Sequence, residues 1–371
     1  MPQPFIARSS SFCSRQQLQR GGIHVVAVTG GGEAVHQIPS QDGPHSRSSR
    51  FTALTRTVAL AYTGEMKEGS PQLHRRGLSG VTPVALVACD LDGTLIGRDH
   101  HRIHSDDVAA IRRLRKAGVH FAICTGRSII ESNDVLSELQ LQGPGVFVTG
   151  AVVADMADRQ TLHRRTLPAA SIARLIDFFS DCGHASLALI DEDASPAPYY
   201  VLTSHGPVHP ATAEWFVRNR VQARETAQLD GALQRHVVRI GIVVDRPEAP
   251  RIEAELRRNF GTEIYFLSIK APLFDSHVIE VFHPAVSKWT GITTLCQQLN
   301  LAPESVAAIG DDVNDIPMLR QAHISFAMAS ADEHVKAAAK RTTLPQTQGG
   351  VAAAITELFD EGSIVSGRHG T

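Results

Sequence analysis

Cysteine is scarce in this chain and shows no pairing pattern. The five residues, Cys13, Cys89, Cys124, Cys182 and Cys296, are odd in number, scattered, and include no Cys-x-x-Cys. That argues against a disulfide framework and reads as reduced thiols in a cytoplasmic protein. Cys89 and Cys124 fall inside apolar runs, where a thiol behaves as a small core residue. An excess of either charge is missing too: 36 Lys and Arg stand against 38 Asp and Glu, a formal net charge of -2. There is therefore no electrostatic case for a nucleic-acid partner or for a polybasic membrane anchor. No apolar run is long enough to cross a bilayer, and no internal repeat is visible. What remains is a chain of 371 residues, 43% hydrophobic, enough for one large or two moderate domains with a sizeable core.

The first 80 residues differ from the rest. Ser, Arg, Gln, Gly and His dominate, as in Ser46-Arg47-Ser48-Ser49-Arg50, acids are few before Glu65, and apolar patches such as His24–Val28 are short. This composition predicts a mostly disordered extension. Arg- and Ser-rich, acid-poor segments also occur as organellar transit peptides, and translation beginning at Met66 would account for the same residues more plainly.

From Val84 the pattern is regular. Val84–Cys89 is a continuous apolar run ending in Asp90, as expected of a parallel strand buried on both faces. Ser105 is the expected cap of a helix that stops at Gly118, followed by a strand over Val119–Cys124, a helix around Ile129–Leu139 and a strand at Val146–Val148. This alternation predicts an open α/β sheet. Between about 160 and 275 adjacent strands outnumber helices, which predicts an inserted α+β domain; Pro196-Ala197-Pro198 reads as a turn within it. The α/β rhythm then returns with the helix Lys288–Leu299 and the strands Ser305–Ile309 and Ile324–Met328. The expected division is an extension over 1–80, a doubly wound core over 81–160 and 276–371, and an α+β insert over 161–275.

Four clusters carry chemistry. Asp90-Leu91-Asp92-Gly93-Thr94 follows the first strand, at the sheet edge where open α/β proteins bind ligands. Two carboxylates one residue apart can share a side of an extended segment, and that proximity asks for a cation or a shared proton. An all-oxygen site suits Mg²⁺, although an Asp-Gly turn after a strand is also ordinary. Thr125-Gly126-Arg127 follows the second strand, where a hydroxyl and exposed N–H groups can take phosphate oxygens, or where a plain strand-to-helix junction would look the same. Arg127 could touch phosphate or form a surface ion pair. Lys288 opens a helix, a position that disfavours a cation unless an anion faces it; most lysines are simply solvated. Gly310-Asp311-Asp312-Val313-Asn314-Asp315 gathers three acids and an amide after another strand, more than a helix cap requires.

As an ordered set these clusters resemble the haloacid dehalogenase superfamily of phosphohydrolases, and the size and place of the insert resemble its Cof-type subclass, as do Ser325–Ala329 and Gly349–Ala352. The resemblance spans about residues 84–360. It implies a Rossmann-like core with a cap that sets specificity, and phosphatase activity on small phosphorylated metabolites. It implies Asp90 as nucleophile forming an aspartyl-phosphate, and Asp92 as acid and then base. Mg²⁺ would lie between the carboxylates of Asp90 and Asp311 and the backbone carbonyl of Asp92. Thr125, Gly126, Lys288 and Asn314 would hold phosphate, Asp315 would orient Lys288 or a metal-bound water, and Asp312 has no assigned part.

Two positions depart from the pattern. Thr149-Gly150 stands where many relatives carry Asn-Gly, and Trp289 follows the motif lysine where many carry Gly. Neither is expected to touch the chemistry the resemblance implies, and both bear on how the cap meets substrate, so specificity does not carry over with the motifs. His184, His205, His209 and His236 of the insert have no recognisable metal spacing and read as surface or packing residues. A phosphomutase or phosphotransferase would use the same motifs. A non-catalytic phosphate-binding protein would ordinarily have lost a nucleophile, an acid or a metal ligand, and none is lost here. Substrate identity and oligomeric state are not encoded in the motifs.

Overall fold

The apolar run after Val84 forms the strand Leu86–Cys89, buried at all four positions. In the computed structural model it lies between His120–Ile123 and Val306–Gly310, parallel to both. The structure describes residues 83–364 apart from 98–102, 193–194, 196–197, 204–205, 219–220, 227 and 272–274, together with the backbone of 24–25. The expectations placed on the extension, on the start at Met66, on Cys13, on His205 and on Pro196-Ala197 fall outside the described residues.

The complete parallel sheet runs Arg341–Thr343, Ile324–Met328, Val306–Gly310, Leu86–Cys89, His120–Ile123. Its first strand in the chain is next to last in space, so the chain leaves it toward one edge and later returns on its other side. Leu86 and Ala88 point to a cluster with Trp289, Ile292, Leu295 and Cys296 of the helix Lys288–Leu299. Val87 and Cys89 point to the opposite cluster, with Ile111 and Leu114 of the helix Ser105–Lys116 and Val351, Ile355 and Leu358 of the helix Gly350–Asp360. Helices on both faces explain why the central strands Leu86–Cys89 and Val306–Gly310 are apolar throughout. This is the doubly wound α/β core.

Local signals set the helix ends with one correction. Lys288–Leu299 begins where expected, because Ser287 and Thr290 form a reciprocal capping box. Ser105 is not the cap of its helix; His104 is, its ring accepting from the Asp106 N–H, and Ser105 is the first helical residue. The strand expected at Val146–Val148 is Pro144–Phe147, and it touches the parallel sheet only through one bridge, Cys124 to Val146. Its ladder is instead antiparallel, with Val152–Asp155, which pairs in turn with Thr161–Arg164. The cause is the tight reversal at Val148, Thr149 and Gly150, whose φ angles are +51°, +58° and +102°.

The insert supplies six strands of a seven-stranded, mostly antiparallel sheet, whose edge strand His24–Val25 pairs with Ala223–Thr226. The helices Ala169–Asp181 and Ala249–Phe260 cover one face, packing Ile172, Leu175, Phe179, Ile252 and Leu256 on Ile190, Val201, Ile240, Ile242 and Val281. Burying one such Phe or Leu contributes roughly 1.5–3 kcal/mol. The strand Ser276–Phe282 pairs with Val237–Asp245 and Tyr265–Lys270 inside this sheet. The inserted sheet therefore runs past residue 275 to Phe282, because its central ladder needs that strand.

Candidate active site

Three loops leave the carboxyl ends of neighbouring parallel strands and converge. The Asp90 N–H still donates to the Ile309 carbonyl, at 2.9 Å, so the ladder fixes the backbone of Asp90 before the chain turns away. Gly93 makes that turn at φ +86°, and a Cβ there would sit 2.2 Å from Asp311 Oδ2. Only glycine lets the first loop pass so close to the third. Thr94 closes the gap by donating its hydroxyl to Asp311 Oδ1 at 2.9 Å.

Lys288 lies at the centre. Its side chain is fully buried, and Nζ donates to Asp90 Oδ1 at 2.5 Å and to Asp315 Oδ1 at 2.6 Å. Burial alone would lower its pKa, but Asp315 and Asp90 outweigh it and hold the amine protonated well above its ordinary range. For Asp90, burial and then Asp315 push the carboxyl up while Lys288 pulls it back. The second oxygen of Asp315 accepts from the N–H groups of Asp311 and Asp312, at 2.9 and 3.0 Å. Gly310 permits this fold-back, since a Cβ there would lie 2.5 Å from the Asp315 carboxyl carbon.

Asp90, Asp311 and Asp315 offer carboxylate oxygens within 4.8 Å of one another, all buried. Three acids gathered around one ammonium are an oxygen-donor set that fits a hard divalent cation. Both Asp315 oxygens already serve Lys288 and the backbone.

Asp92 is held differently. Arg127 grips its carboxylate with both prongs of the guanidinium, Nε to Oδ2 at 2.7 Å and Nη2 to Oδ1 at 2.5 Å. The ion pair weighed for Arg127 thus exists, but at the site, with the two side chains only 23% and 34% exposed. Thr125 is buried, its hydroxyl accepting from the Arg127 N–H and its carbonyl from the Thr149 N–H. Beside Gly126 lie the Thr149 hydroxyl and the Asn314 amide nitrogen, 3.5 and 3.7 Å from where a Cβ would be. Thr149 Oγ1 and Asn314 Oδ1 are buried without a hydrogen-bond partner. Such orphaned atoms mark a ligand position more often than a packing fault.

The structure thus gathers Asp90, Thr125, Gly126, Lys288, Asp311, Asn314 and Asp315, with Asp92 joined through Arg127. Asp312 caps the turn Val313–Asp315. Trp289 packs into the core cluster under the sheet. Thr149 occupies a left-handed backbone that asparagine adopts more easily than threonine, which gives the Thr149 departure a physical meaning. Thr94, Thr149 and the Arg127 grip were missed from the sequence; the left-handed turn had no glycine or asparagine at its first two positions to betray it. Among the described residues the insert histidines form no cluster: His184 meets Glu248, and His209 meets Asp245. No helix among the described residues is long and apolar enough to cross a membrane. The described cysteines are all free thiols.

Comparison with known proteins agrees with this geometry. Residues 87–355 match the model of a family described as haloacid dehalogenase-like hydrolase. The 5-amino-6-(5-phospho-D-ribitylamino)uracil phosphatase YitU of Bacillus subtilis is 28% identical over 276 residues, 74% of this chain and 97% of its own. The HMP-PP phosphatase of Escherichia fergusonii is 27% identical, covering 68% of this chain and 86% of its own. Among solved structures, a subclass IIB sugar phosphatase aligns with a TM-score of 0.62 at 22% identity, over 76% of this chain and all of that one.

Proposed function

The chain belongs to the haloacid dehalogenase-like hydrolases, and on that premise we propose that this phosphatase is a Mg²⁺-dependent hydrolase of small phosphorylated metabolites that works through an aspartyl-phosphate. The observation that carries the reading is the buried Lys288, which salt-bridges Asp90 and Asp315 beside Asp311. A fully buried ammonium beside three acids is costly to build for stability alone.

In this reading Asp90 and Asp311 hold the metal through carboxylate oxygens and Asp92 through its backbone carbonyl. A cation held there would supply neutralisation of the negative charge on the phosphoryl group. Lys288 fixes Asp90 by its Oδ1, keeping the side chain in one rotamer for attack on phosphorus. The P–O bond to the leaving group breaks as the Asp90–phosphorus bond forms. Asp92 gives a proton to the departing alkoxide and later takes one from the water that hydrolyses the aspartyl-phosphate. Arg127 aims that carboxyl by holding both of its oxygens. Thr125, Gly126 and Asn314 take the phosphoryl oxygens. The insert serves as a cap, and the free thiols suit a cytoplasmic setting.

The test is release of inorganic phosphate from a panel of sugar phosphates, nucleotides, flavin mononucleotide and pyridoxal phosphate, with Mg²⁺ and with EDTA. Release should require Mg²⁺ and vanish in Asp90→Asn. A folded, Mg²⁺-binding wild type as silent as that variant across the panel would overturn simple hydrolysis in favour of phosphoryl transfer between metabolites.

A further inference from the structure

Two consecutive β-branched residues, Val148 and Thr149, occupy left-handed backbone at φ +51° and +58°. Their branched Cβ atoms crowd the neighbouring carbonyls there, and such a conformation persists only where the surroundings over-determine it. The contacts that hold this one belong to the candidate site. The Val148 N–H donates to the Arg127 carbonyl at 2.9 Å, and the Thr149 N–H to the Thr125 carbonyl at 3.0 Å. Gly150 follows so close to the start of the helix Lys288–Leu299 that a Cβ would sit 2.0 Å from the Ser287 carbonyl oxygen. The reversal therefore ties the Thr125–Gly126 turn to the residue before Lys288.

What this backbone presents to the site is a hydroxyl. Thr149 is 1% exposed, and its Oγ1 is buried without a hydrogen-bond partner among the described residues. Asn314 Oδ1 is in the same condition. Both side chains border the space that a side chain at Gly126 would fill, with Thr149 Oγ1 at 3.5 Å and Asn314 Nδ2 at 3.7 Å from that Cβ position. A hydroxyl donates and an amide oxygen accepts, so each orphan offers what the other lacks. Packing does not ask for either: valine would fill the Thr149 position with the same shape and no buried polar atom to satisfy. An orphaned hydroxyl on a strained turn is poor design for stability alone, and it stands where phosphate would bind.

We propose that Thr149 is a positioning residue for Asn314. When a phosphoryl group lies on the Thr125–Gly126 turn, the Thr149 hydroxyl donates to Asn314 Oδ1. That bond fixes the amide with its two N–H groups directed at phosphoryl oxygens. An amide left unheld could turn its oxygen toward the phosphate instead, setting two acceptors against one another. Thr149 touches no substrate atom in this arrangement. Its effect falls on the affinity for the phosphoryl group, which every ester shares, and not on the choice of leaving group. The departure at Thr149, which the sequence placed outside the chemistry, is thereby moved to the phosphate.

The inference rests on the proposed phosphatase reading and is measured apart from turnover. Inorganic phosphate is titrated calorimetrically into the full chain in Mg²⁺, for the wild type, Thr149→Val, Thr149→Ser, Asn314→Ala and the double variant Thr149→Val with Asn314→Ala. Thr149→Val keeps the shape and the branching and removes the hydroxyl. Its Kd for phosphate should rise about tenfold, and Thr149→Ser should recover most of that loss. The Tm of Thr149→Val should stay level or rise, because a buried hydroxyl has gone, which separates a lost contact from a damaged fold. KM for p-nitrophenyl phosphate and for a sugar phosphate should rise together. In the Asn314→Ala background the same substitution should change little, since the hydroxyl then has nothing to hold. A wild-type Kd in Thr149→Val, or a loss just as large in the Asn314→Ala background, would overturn the assignment, as would a rise in KM confined to one ester. Should Thr149→Val fail to fold, Thr149→Ala removes the hydroxyl with less crowding of the left-handed backbone, and the same comparison against Asn314→Ala decides. A wild type that neither binds phosphate nor releases it from any ester would instead remove the phosphatase reading, and the inference with it.

Discussion

Replacing Lys288 by methionine removes one charge and little volume from the most crowded part of the molecule. The ammonium is fully buried and bonded to Asp90 and Asp315 at 2.5 and 2.6 Å. Lys288→Met leaves these two acids, with Asp311 beside them, facing one another without their cation. Removing one partner of a buried pair costs about 3–5 kcal/mol. For a domain of this size each kcal/mol lowers Tm by roughly 2–4 °C, so a fall of about 6–20 °C is expected. The measurement is thermal or urea unfolding in EDTA, so that metal affinity does not enter the comparison. Asp315→Asn added to Lys288→Met removes one of the stranded charges and should recover about 1–3 kcal/mol, a non-additivity expected of direct contacts. A loss below about 1 kcal/mol, the scale of an exposed pair, would refute the reasoning, as would strict additivity in the double variant.

Gly93→Ala should fold yet lose at least about tenfold in Mg²⁺-dependent phosphate release with a weakened Mg²⁺ requirement curve, because the new methyl lies 2.2 Å from Asp311 Oδ2 and the backbone is at φ +86°. A Mg²⁺ titration of activity checks it, and an unchanged curve would count against Asp311 as a ligand. Asp107 caps the helix Gly350–Asp360: it is buried, accepts from the Ala352 N–H at 2.7 Å, and burial raises its carboxyl from 3.8 to about 6. The folded state thus binds the proton more tightly than the unfolded one, so this group's stabilisation is present at low pH and is lost as pH rises from 3.8 to about 6. Asp107→Asn keeps the acceptor and cannot ionise. Its stability relative to wild type should improve by about 1–2 kcal/mol between pH 4 and pH 7, read from unfolding midpoints at each pH. A pH-independent difference would show that Asp107 ionises freely in the folded protein.

The sequence by itself determined the α/β alternation, the ordered motifs and most element positions, because these are local. Strands buried on both faces read as unbroken apolar runs, as in Leu86–Cys89 and Val306–Gly310. A Ser287–Thr290 capping box marks a helix start within four residues. The candidate residues Asp90, Thr125 and Asp311 were legible for the same reason, each standing just after a strand, while Lys288 stands at a helix start. Only the tertiary structure decided what those residues touch. Lys288 meets an aspartate 198 positions away, and no window of sequence distinguishes such a lysine from a solvated one. Arg127 reaches Asp92 rather than solvent, the strand before Thr149 turns into an antiparallel ladder, and Arg239 crosses from the insert to Gly126. Each depends on which surfaces pack together after residues far apart in the chain have been brought to one sheet edge. That is a property of packing and register, which local propensity does not carry.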